Sequence, residues 1–236
     1  MKLSELFENC AYKISYEQTG HGVSYAFVED KDILYIYFQG SSEVMDWFRN
    51  FLFPAKPYKD MAIPYRVHRG FLAAWKEVED IVIAKITERG KNVHIKPDMN
   101  GEFHYIREEE YKWKQIFVIG YSHGAALAGL CHECVWYHRP DLRENGLEGF
   151  GFESPRFYGC WFVKKSLKER WAKFTVIRTN NDLVTHCPPW ILGFCHVGNM
   201  MKVKGDVNLV ENKKLPRCIK SHFPQVVLDG LKKEEE

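Results

Sequence analysis

The sequence predicts an α/β protein with a mostly parallel central sheet and helices on both faces. Apolar runs of strand length alternate along the chain with helical patterns, and this alternation is typical of parallel strands joined by helices. The central run, residues 116–120 (IFVIG), is rich in β-branched residues, as expected for a strand buried on both sides. The chain has 236 residues and shows no internal repeat or low-complexity linker, so we expect one domain over residues 1–236.

The first half of the chain supplies three elements before the central strand. Residues 23–30 (VSYAFVED) and 33–40 (ILYIYFQG) are predicted strands joined by a short charged turn. Residues 71–88 predict an amphipathic helix, because apolar side chains recur at helical spacing. The apolar positions of this helix are Leu72, Trp75, Val78, Ile81, Ile83 and Ile86.

The second half continues the alternation. A helix is predicted over residues 123–138 and ends before Pro140. Residues 147–154 (LEGFGFES) and 174–179 (FTVIRT) are predicted strands on either side of a helical stretch at 160–171.

An insertion at about residues 91–114 predicts a β-hairpin, since two strand-like pieces flank Asn100-Gly101, a strong two-residue turn signal. It enters at the amino end of the central strand, whereas ligands of open α/β sheets bind at the carboxyl ends. We therefore expect no catalytic role for it.

The composition and the motifs of the chain argue against several classes of function. The net charge of +2 gives no indication of nucleic-acid binding. No window approaches the length of a membrane span, and the first twenty residues do not resemble a signal peptide. The 7 cysteines are scattered and odd in number, which favours reduced thiols and a cytoplasmic protein. No phosphate-binding loop or dinucleotide fingerprint occurs, so no cofactor is expected.

Ser122 lies in the pattern Gly120-Tyr121-Ser122-His123-Gly124, between the central strand and the following helix. A strand, G-x-S-x-G and a helix form the nucleophile elbow, in which the glycines allow close packing and the helix N-terminus favours an oxyanion. The alternative is that Ser122 only caps the helix. His123 is not expected to be the base, because its side chain points away from the serine on such an elbow and only its N–H faces the oxyanion.

Five segments in one order resemble the class 3 lipases, the α/β-hydrolases typified by filamentous-fungal triacylglycerol lipases. The resemblance covers residues 23–227, approximately, and implies the α/β-hydrolase fold. The segments are FQGSSEVMDWFRNF, VHRGFLAAW, VIGYSHGAALAGL, FESPRFYG and RTNNDLVTHCPPWILGFCHVG.

The resemblance implies a catalytic triad of Ser122, Asp182 and His222. The order serine, acid, histidine along the chain is the one typical of this fold. The histidine has alternatives, because the family's H-x-x-Y setting is only half kept at His222, where Phe223 supplies the aromatic residue. His196 is the second candidate, and His186 is expected to be a neighbour of the acid's loop. His68 is expected to make structural hydrogen bonds.

The resemblance also places Ser41 in the oxyanion hole, together with the N–H of His123. A lid-like segment at about residues 42–58 contains Trp47, Phe48 and Phe51, which either shut over an acyl groove or pack as core under a surface helix. The opposite wall of the groove is assigned to Trp190, Ile191 and Phe194, an apolar set that favours an acyl chain over a charged substrate.

The predicted function is serine ester hydrolysis on a lipid-like or small ester, with transient contact to a lipid interface through the lid. A non-catalytic binding protein with the same fold, a phospholipase and an acyltransferase remain alternatives. The C-x-x-C of Cys131 and Cys134 has the spacing of half a zinc site, but we expect it to pack in the core and predict no metal.

Overall fold

The computed structural model describes residues 2–20, 22–40, 55–59, 65–97, 103–160 and 165–236. In chain order its strands are β1 (Glu17–Gln18), β2 (Ser24–Asp30), β3 (Ile33–Phe38), β4 (Ala55–Tyr58), β5 (Tyr65–His68), β6 (Arg89–Pro97), β7 (Phe103–Tyr111), β8 (Gln115–Tyr121), β9 (Leu147–Phe152), β10 (Tyr158–Gly159), β11 (Phe174–Thr179), β12 (Phe194–Cys195) and β13 (Asn199–Val203). Its α-helices are α1 (Leu3–Glu8), α2 (Arg69–Ile86), α3 (His123–His138), α4 (Lys165–Lys168), α5 (Arg217–Lys220) and α6 (Pro224–Glu234).

The central sheet has seven strands in the order β1-β2-β3-β8-β9-β11-β13. Strands β3, β8, β9, β11 and β13 run parallel, and β1 and β2 are antiparallel additions at one edge. The register sets Phe38 beside Gly120 and Tyr121 beside Phe152, so the carboxyl ends of β3, β8 and β9 form one edge. The predicted α/β-hydrolase class, with its mostly parallel sheet, is confirmed.

Hydrophobic side chains cover both faces of this sheet. On one face α2 and α3 pack through residues such as Phe71, Trp75, Leu127 and Leu130. On the other face α1 and α6 pack through a second cluster that contains Phe7, Ile119, Phe152, Val227 and Leu231. Helix α3 is buried along most of its length, which explains the run of small and apolar residues from Gly124 to Cys131.

Two predicted helices differ in detail from the structure. The buried face of α2 runs through Phe71, Trp75, Val78 and Val82, whereas Ile81 is exposed, so that position was wrongly assigned to the apolar face. The helical stretch predicted at 160–171 contains α4 followed by a 3-10 turn at Glu169–Trp171, and residues 161–164 lie outside the described part.

The predicted hairpin is present as the antiparallel pair β6 and β7, in register from Arg89↔Tyr111 to Pro97↔Phe103. Its tip, Asn100-Gly101, lies outside the described residues. Strand β8 starts at Gln115 just after the hairpin and carries the chain to Ser122 at the opposite end of the sheet. At about 3.3 Å per residue, this strand separates the hairpin from the elbow by about 20 Å.

The sequence did not predict a second sheet, in the order β12-β10-β5-β4, whose strands are all antiparallel. It lies beside the amino end of α2, because β5 runs directly into that helix at His68 and Arg69. Among the described residues, no helix is both long and apolar enough to cross a membrane.

Candidate active site

The turn between β8 and α3 holds Ser122 in a conformation that few side chains adopt. Its φ is 55° and its ψ is −120°, which costs backbone energy and is found where function requires it. A Cβ on Gly120 would lie 2.1 Å from the carbonyl oxygen of Gly124, and one on Gly124 would lie 2.3 Å from that of Phe38. Both glycines are therefore required for strand and helix to meet around the serine.

The Ser122 side chain does not cap α3. No cap hydrogen bond forms from it, and its Oγ lies 2.7 Å from Nε2 of His222 instead. The serine is only 4% exposed. This geometry contradicts the interpretation of Ser122 as a simple helix cap.

Asp182 lies on the loop after β11 and is fully buried. Its Oδ2 is 2.6 Å from Nδ1 of His222, and its Oδ1 accepts a hydrogen bond of 2.8 Å from the Val184 N–H. Burial alone would raise the pKa of this carboxyl, but the charge of His222 and hydrogen bonds from His222, Glu153 and Val184 lower the pKa below its ordinary value. Asp182 is thus an ionised, fixed acceptor.

His222 lies between α5 and α6, and hydrogen bonds to two consecutive carbonyl groups, those of Ser221 and of His222 itself, hold it in place. The Thr179 hydroxyl donates to the carbonyl of Ser221 at 3.0 Å. The Tyr121 hydroxyl donates to the His222 carbonyl, and the two rings stack with centroids 5.4 Å apart. With Nδ1–H donated to Asp182, Nε2 is left to accept the proton of Ser122.

The other histidines have different contacts. Nε2 of His196 lies 2.8 Å from the Thr185 carbonyl, and burial lowers the pKa of His196 to about 4. Nδ1 of His186 lies 2.8 Å from the Asp182 carbonyl, so His186 is a neighbour of the acid's loop, as expected.

His68 and His123 lie at the amino ends of two helices. Nδ1 of His68 accepts from the Gly70 N–H at 3.3 Å and caps α2, which confirms its predicted structural hydrogen bond. The His123 ring packs against Phe71, with centroids 5.5 Å apart.

Glu153 joins this site although the sequence did not point to it. It follows β9 directly, has a φ of 51°, and is fully buried. Donor and acceptor atoms of Glu153, Asp182 and His222 lie within 4.8 Å of one another, the one such group of potential ligands in the described part of the chain. An acidic residue at the carboxyl end of a predicted strand is the signal that could have found it.

Part of the predicted site lies outside the described residues, namely Ser41 and the lid residues Trp47, Phe48 and Phe51. Gly40, which precedes Ser41, is described. A Cβ on Gly40 would come within 3.3 Å of the Ser122 Cβ, so the chain reaches the nucleophile at this point.

The residues assigned to the far wall of an acyl groove fall into two groups. Trp190 and Ile191 belong to a 3-10 turn at Trp190–Leu192 and are 72% and 68% exposed. Phe194 is buried in β12 and packs edge-on against His68, with centroids 5.5 Å apart. Their role in an acyl groove stays a prediction.

The C-x-x-C pair lies on the inner face of α3. Cys131 and Cys134 are fully buried members of the hydrophobic core, and burial raises the pKa of both thiols well above the ordinary value. All of the chain's cysteines are free thiols. Cys131 and Cys134 pack as small apolar residues, as predicted.

Comparison with solved structures places the fold among fungal lipases. The triacylglyceride lipase of Rhizomucor miehei superimposes with a TM-score of 0.61 at 20% identity, covering 80% of this chain and 65% of that one. A triacylglycerol lipase whose catalytic centre is a serine protease triad superimposes with a TM-score of 0.65 at 19% identity, covering 92% of this chain and 82% of that one.

Sequence comparison points the same way. A lipase of Rhizomucor miehei is 26% identical over 176 residues, which are 72% of this chain and 41% of that protein. A secreted mono- and diacylglycerol lipase of Fusarium solani is 27% identical over 179 residues, 76% of this chain and 46% of that protein. The chain thus spans less than half the length of these two relatives. The family pattern of lipase (class 3) matches residues 35–192, and the chain belongs to the class 3 lipase family.

Proposed function

We propose that the protein is a serine carboxylic-ester hydrolase whose triad is Ser122, Asp182 and His222. The observation that carries this proposal is the continuous hydrogen-bonded path from Ser122 Oγ through both ring nitrogens of His222 to the Asp182 carboxylate. The related proteins named above are lipases, and one of the similar structures has a serine protease triad.

The proposed reaction has two halves. Nε2 of His222 takes the hydroxyl proton of Ser122 as Oγ attacks the ester carbonyl carbon, and the tetrahedral intermediate collapses when His222 returns that proton to the leaving alcohol. His222 then deprotonates water, which attacks the acyl-serine carbonyl carbon, and the second tetrahedral intermediate collapses when His222 returns that proton to Ser122 Oγ and the carboxylic acid is released. Asp182 stays ionised and stabilises the imidazolium that forms in each half.

The backbone N–H groups of His123 and Ser41 are the proposed oxyanion hole. His123 is the first residue of α3, where N–H groups have no acceptor within the helix and the helix dipole favours negative charge. The close approach of Gly40 to Ser122 supports Ser41 as the second donor.

An apolar acyl ester is the proposed substrate class. The exposed apolar turn at Trp190–Leu192 follows the loop of Asp182 and offers a surface for an acyl chain or a lipid interface. The lid predicted at about residues 42–58, with Trp47, Phe48 and Phe51, is the proposed cover of the site only up to residue 54, since Ala55–Tyr58 form β4 of the second sheet.

A cytoplasmic location is part of the proposal. Free thiols at every cysteine suit a reducing compartment, whereas the relative from Fusarium solani is a secreted protein. Fractionation of cells that express a tagged chain would decide between the two.

Hydrolysis of p-nitrophenyl esters of increasing acyl length tests the proposal. We expect Ser122→Ala and His222→Ala to lower kcat by at least about 10³-fold. The matched controls are Ser24→Ala, on β2, and His196→Ala, which should stay within about threefold of the wild type.

Three results would count against parts of the proposal. A folded wild-type protein without turnover at any acyl length would favour a non-catalytic binding protein. Near-normal rates in His222→Ala together with a large loss in His196→Ala would assign the base to His196. Preference for glycerophospholipids, or transfer to an added alcohol, would identify a phospholipase or an acyltransferase with the same triad.

A further inference from the structure

Glu153 is a buried carboxyl group that the proposed reaction does not use. Its backbone is anchored to β11, because the Glu153 N–H donates to the Ile177 carbonyl at 2.7 Å. Its Oε1 accepts a hydrogen bond of 2.7 Å from the Thr179 N–H. The positive φ of 51° is costly for a side chain other than glycine, so this glutamate is held in place at an energetic cost.

The protonation state of Glu153 depends on the surroundings of its second carboxyl oxygen, Oε2. No N–H or O–H group of the described residues reaches Oε2, and the nearby partner is the carboxyl group of Asp182. Two ionised carboxylates in a buried site repel each other strongly, whereas one shared proton turns the contact into a hydrogen bond.

Donor counts place that proton on Glu153. The Asp182 carboxylate accepts from the Val184 N–H and from His222, whereas Glu153 accepts from the Thr179 N–H and lies beside the Thr179 hydroxyl, whose proton is donated to the Ser221 carbonyl. The negative charge is better stabilised on Asp182, and the proton belongs on Oε2 of Glu153.

We propose that Glu153 is a neutral positioning residue that donates a hydrogen bond from Oε2 to the Asp182 carboxylate and extends the triad to Glu153–Asp182–His222–Ser122. In this role it touches no substrate. It fixes the carboxylate plane and keeps Asp182 ionised opposite His222. The effect of Glu153 on the reaction rate rests on the proposed ester hydrolysis, whereas the protonation of Glu153 does not depend on that function.

The directions in which the two pKa values are shifted agree with this assignment. Burial, followed by the charge of Asp182 and the contact with it, raises the pKa of Glu153 well above its ordinary value, while the pKa of Asp182 is lowered. The titratable groups that face Glu153 are Asp182, His222 and Tyr121. Burial, together with the two carboxyl groups, raises the pKa of Tyr121, so the phenol stays neutral.

Infrared spectroscopy tests the proton directly. At pH about 8.5 nearly all carboxyls of a folded protein are ionised, including Glu133, whose pKa burial raises only to about 7, so the carbonyl stretch of a protonated Glu153 stands apart. We expect such a band in the wild type, its loss in Glu153→Gln and its retention in Ser122→Ala. No band in the wild type would overturn the proposal, as would a band that survives Glu153→Gln and disappears in Asp182→Asn.

Kinetics test the positioning role. The amide of Glu153→Gln can still donate to Asp182 and accept from Thr179, so kcat should stay within about threefold of the wild type. Glu153→Gly suits the positive φ and should fold, but without the donor kcat should fall about tenfold at nearly unchanged KM. The acid limb of its pH–rate profile should move to higher pH, because Asp182 then takes up a proton more readily.

The two proposals fail in different ways. If Glu153→Gly keeps the kcat and the acid limb of the wild type, Glu153 has no positioning role even though the enzyme is active. If the wild type hydrolyses no ester, the proposed function fails, and the infrared band still decides the protonation of Glu153.

Discussion

Glu133 and Glu153 are both fully buried, but Glu133 faces a cationic side chain and Glu153 faces an anionic one. Glu133, in the middle of α3, forms an ion pair with Arg170 and lies 3.5 Å from the Tyr65 hydroxyl. Glu153, at the carboxyl edge of the sheet, faces the Asp182 carboxylate.

This difference in partners distinguishes Glu133, an acid with a structural role, from Glu153, the acid proposed to serve the reaction. Burial raises the pKa of Glu133 to about 7, opposed by the charge and hydrogen bond of Arg170. The pKa of Glu153 is raised by burial and by Asp182 in the same direction. Groups whose environment pushes neighbouring pKa values apart mark sites of proton chemistry, and of these two acids Glu153 is the one in such a site.

The largest effect is expected from Asp182→Asn. The amide presents an N–H where His222 Nδ1–H needs an acceptor, so the imidazole is held in the wrong tautomer. We expect kcat to fall on the order of 10³–10⁴-fold with little change in the melting temperature. Steady-state kinetics with an ester, alongside circular dichroism, measure both, and a loss below about tenfold would show that this region lacks the role assigned to it.

Arg170→Met should have its effect on stability instead. Removing one member of a buried ion pair leaves the other unpaired and costs about 3–5 kcal/mol, while kcat per folded molecule should stay within about twofold. Urea unfolding and active-site titration at low temperature provide the two readings. A large fall in kcat without loss of stability would erase the distinction between the two acids.

The smallest expected effect is a difference in how the free energy of unfolding of two variants depends on pH. A carboxyl whose folded pKa is raised contributes stability that is full below its unfolded pKa and is lost as pH rises through the folded value. For Glu133 this window runs from its ordinary value of 4.5 to about 7, a loss of about 3 kcal/mol in total. For Glu153 the loss of stability begins at the same pH as for Glu133 and continues above pH about 7, at up to about 1.4 kcal/mol per pH unit.

Urea unfolding at steps from pH about 4.5 to 8.5 should resolve the two windows. Relative to the wild type, Glu133→Gln should gain stability with rising pH and then level off near neutrality. Glu153→Gln should keep gaining beyond that point. Identical curves for the two variants would mean that Asp182 adds nothing to the pKa of Glu153.

The sequence predicted the elements whose patterns are local and long. The predicted strand at 174–179 and helix at 123–138 coincide with β11 and α3, because an apolar run bounded by polar residues is visible in one sequence. Strands β10 and β12 have two residues each, too few to show any period, so the second sheet could not be found.

The site shows the same limit. Ser122 could be identified as the candidate nucleophile because the elbow requires glycines at fixed spacing, whereas the choice between His196 and His222 depended on which loop folds back over the sheet. Glu153 meets Asp182 only because Phe152 pairs with Ile177 and aligns the ends of β9 and β11. Spacing along the chain carries no information about such a pairing across strands.

The stacking of Tyr121 on His222 joins residues that are far apart in the order of synthesis. Ser122, the proposed nucleophile, precedes His222, its proposed base, by 100 residues, and His222 lies between α5 and α6, of which α6 packs on the central sheet. During translation, the elbow therefore leaves the ribosome well before the histidine that activates it. Under the proposed triad, a nascent chain that carries only the first part of the site would be inert toward esters, and hydrolysis would begin only after α5 and α6 have docked.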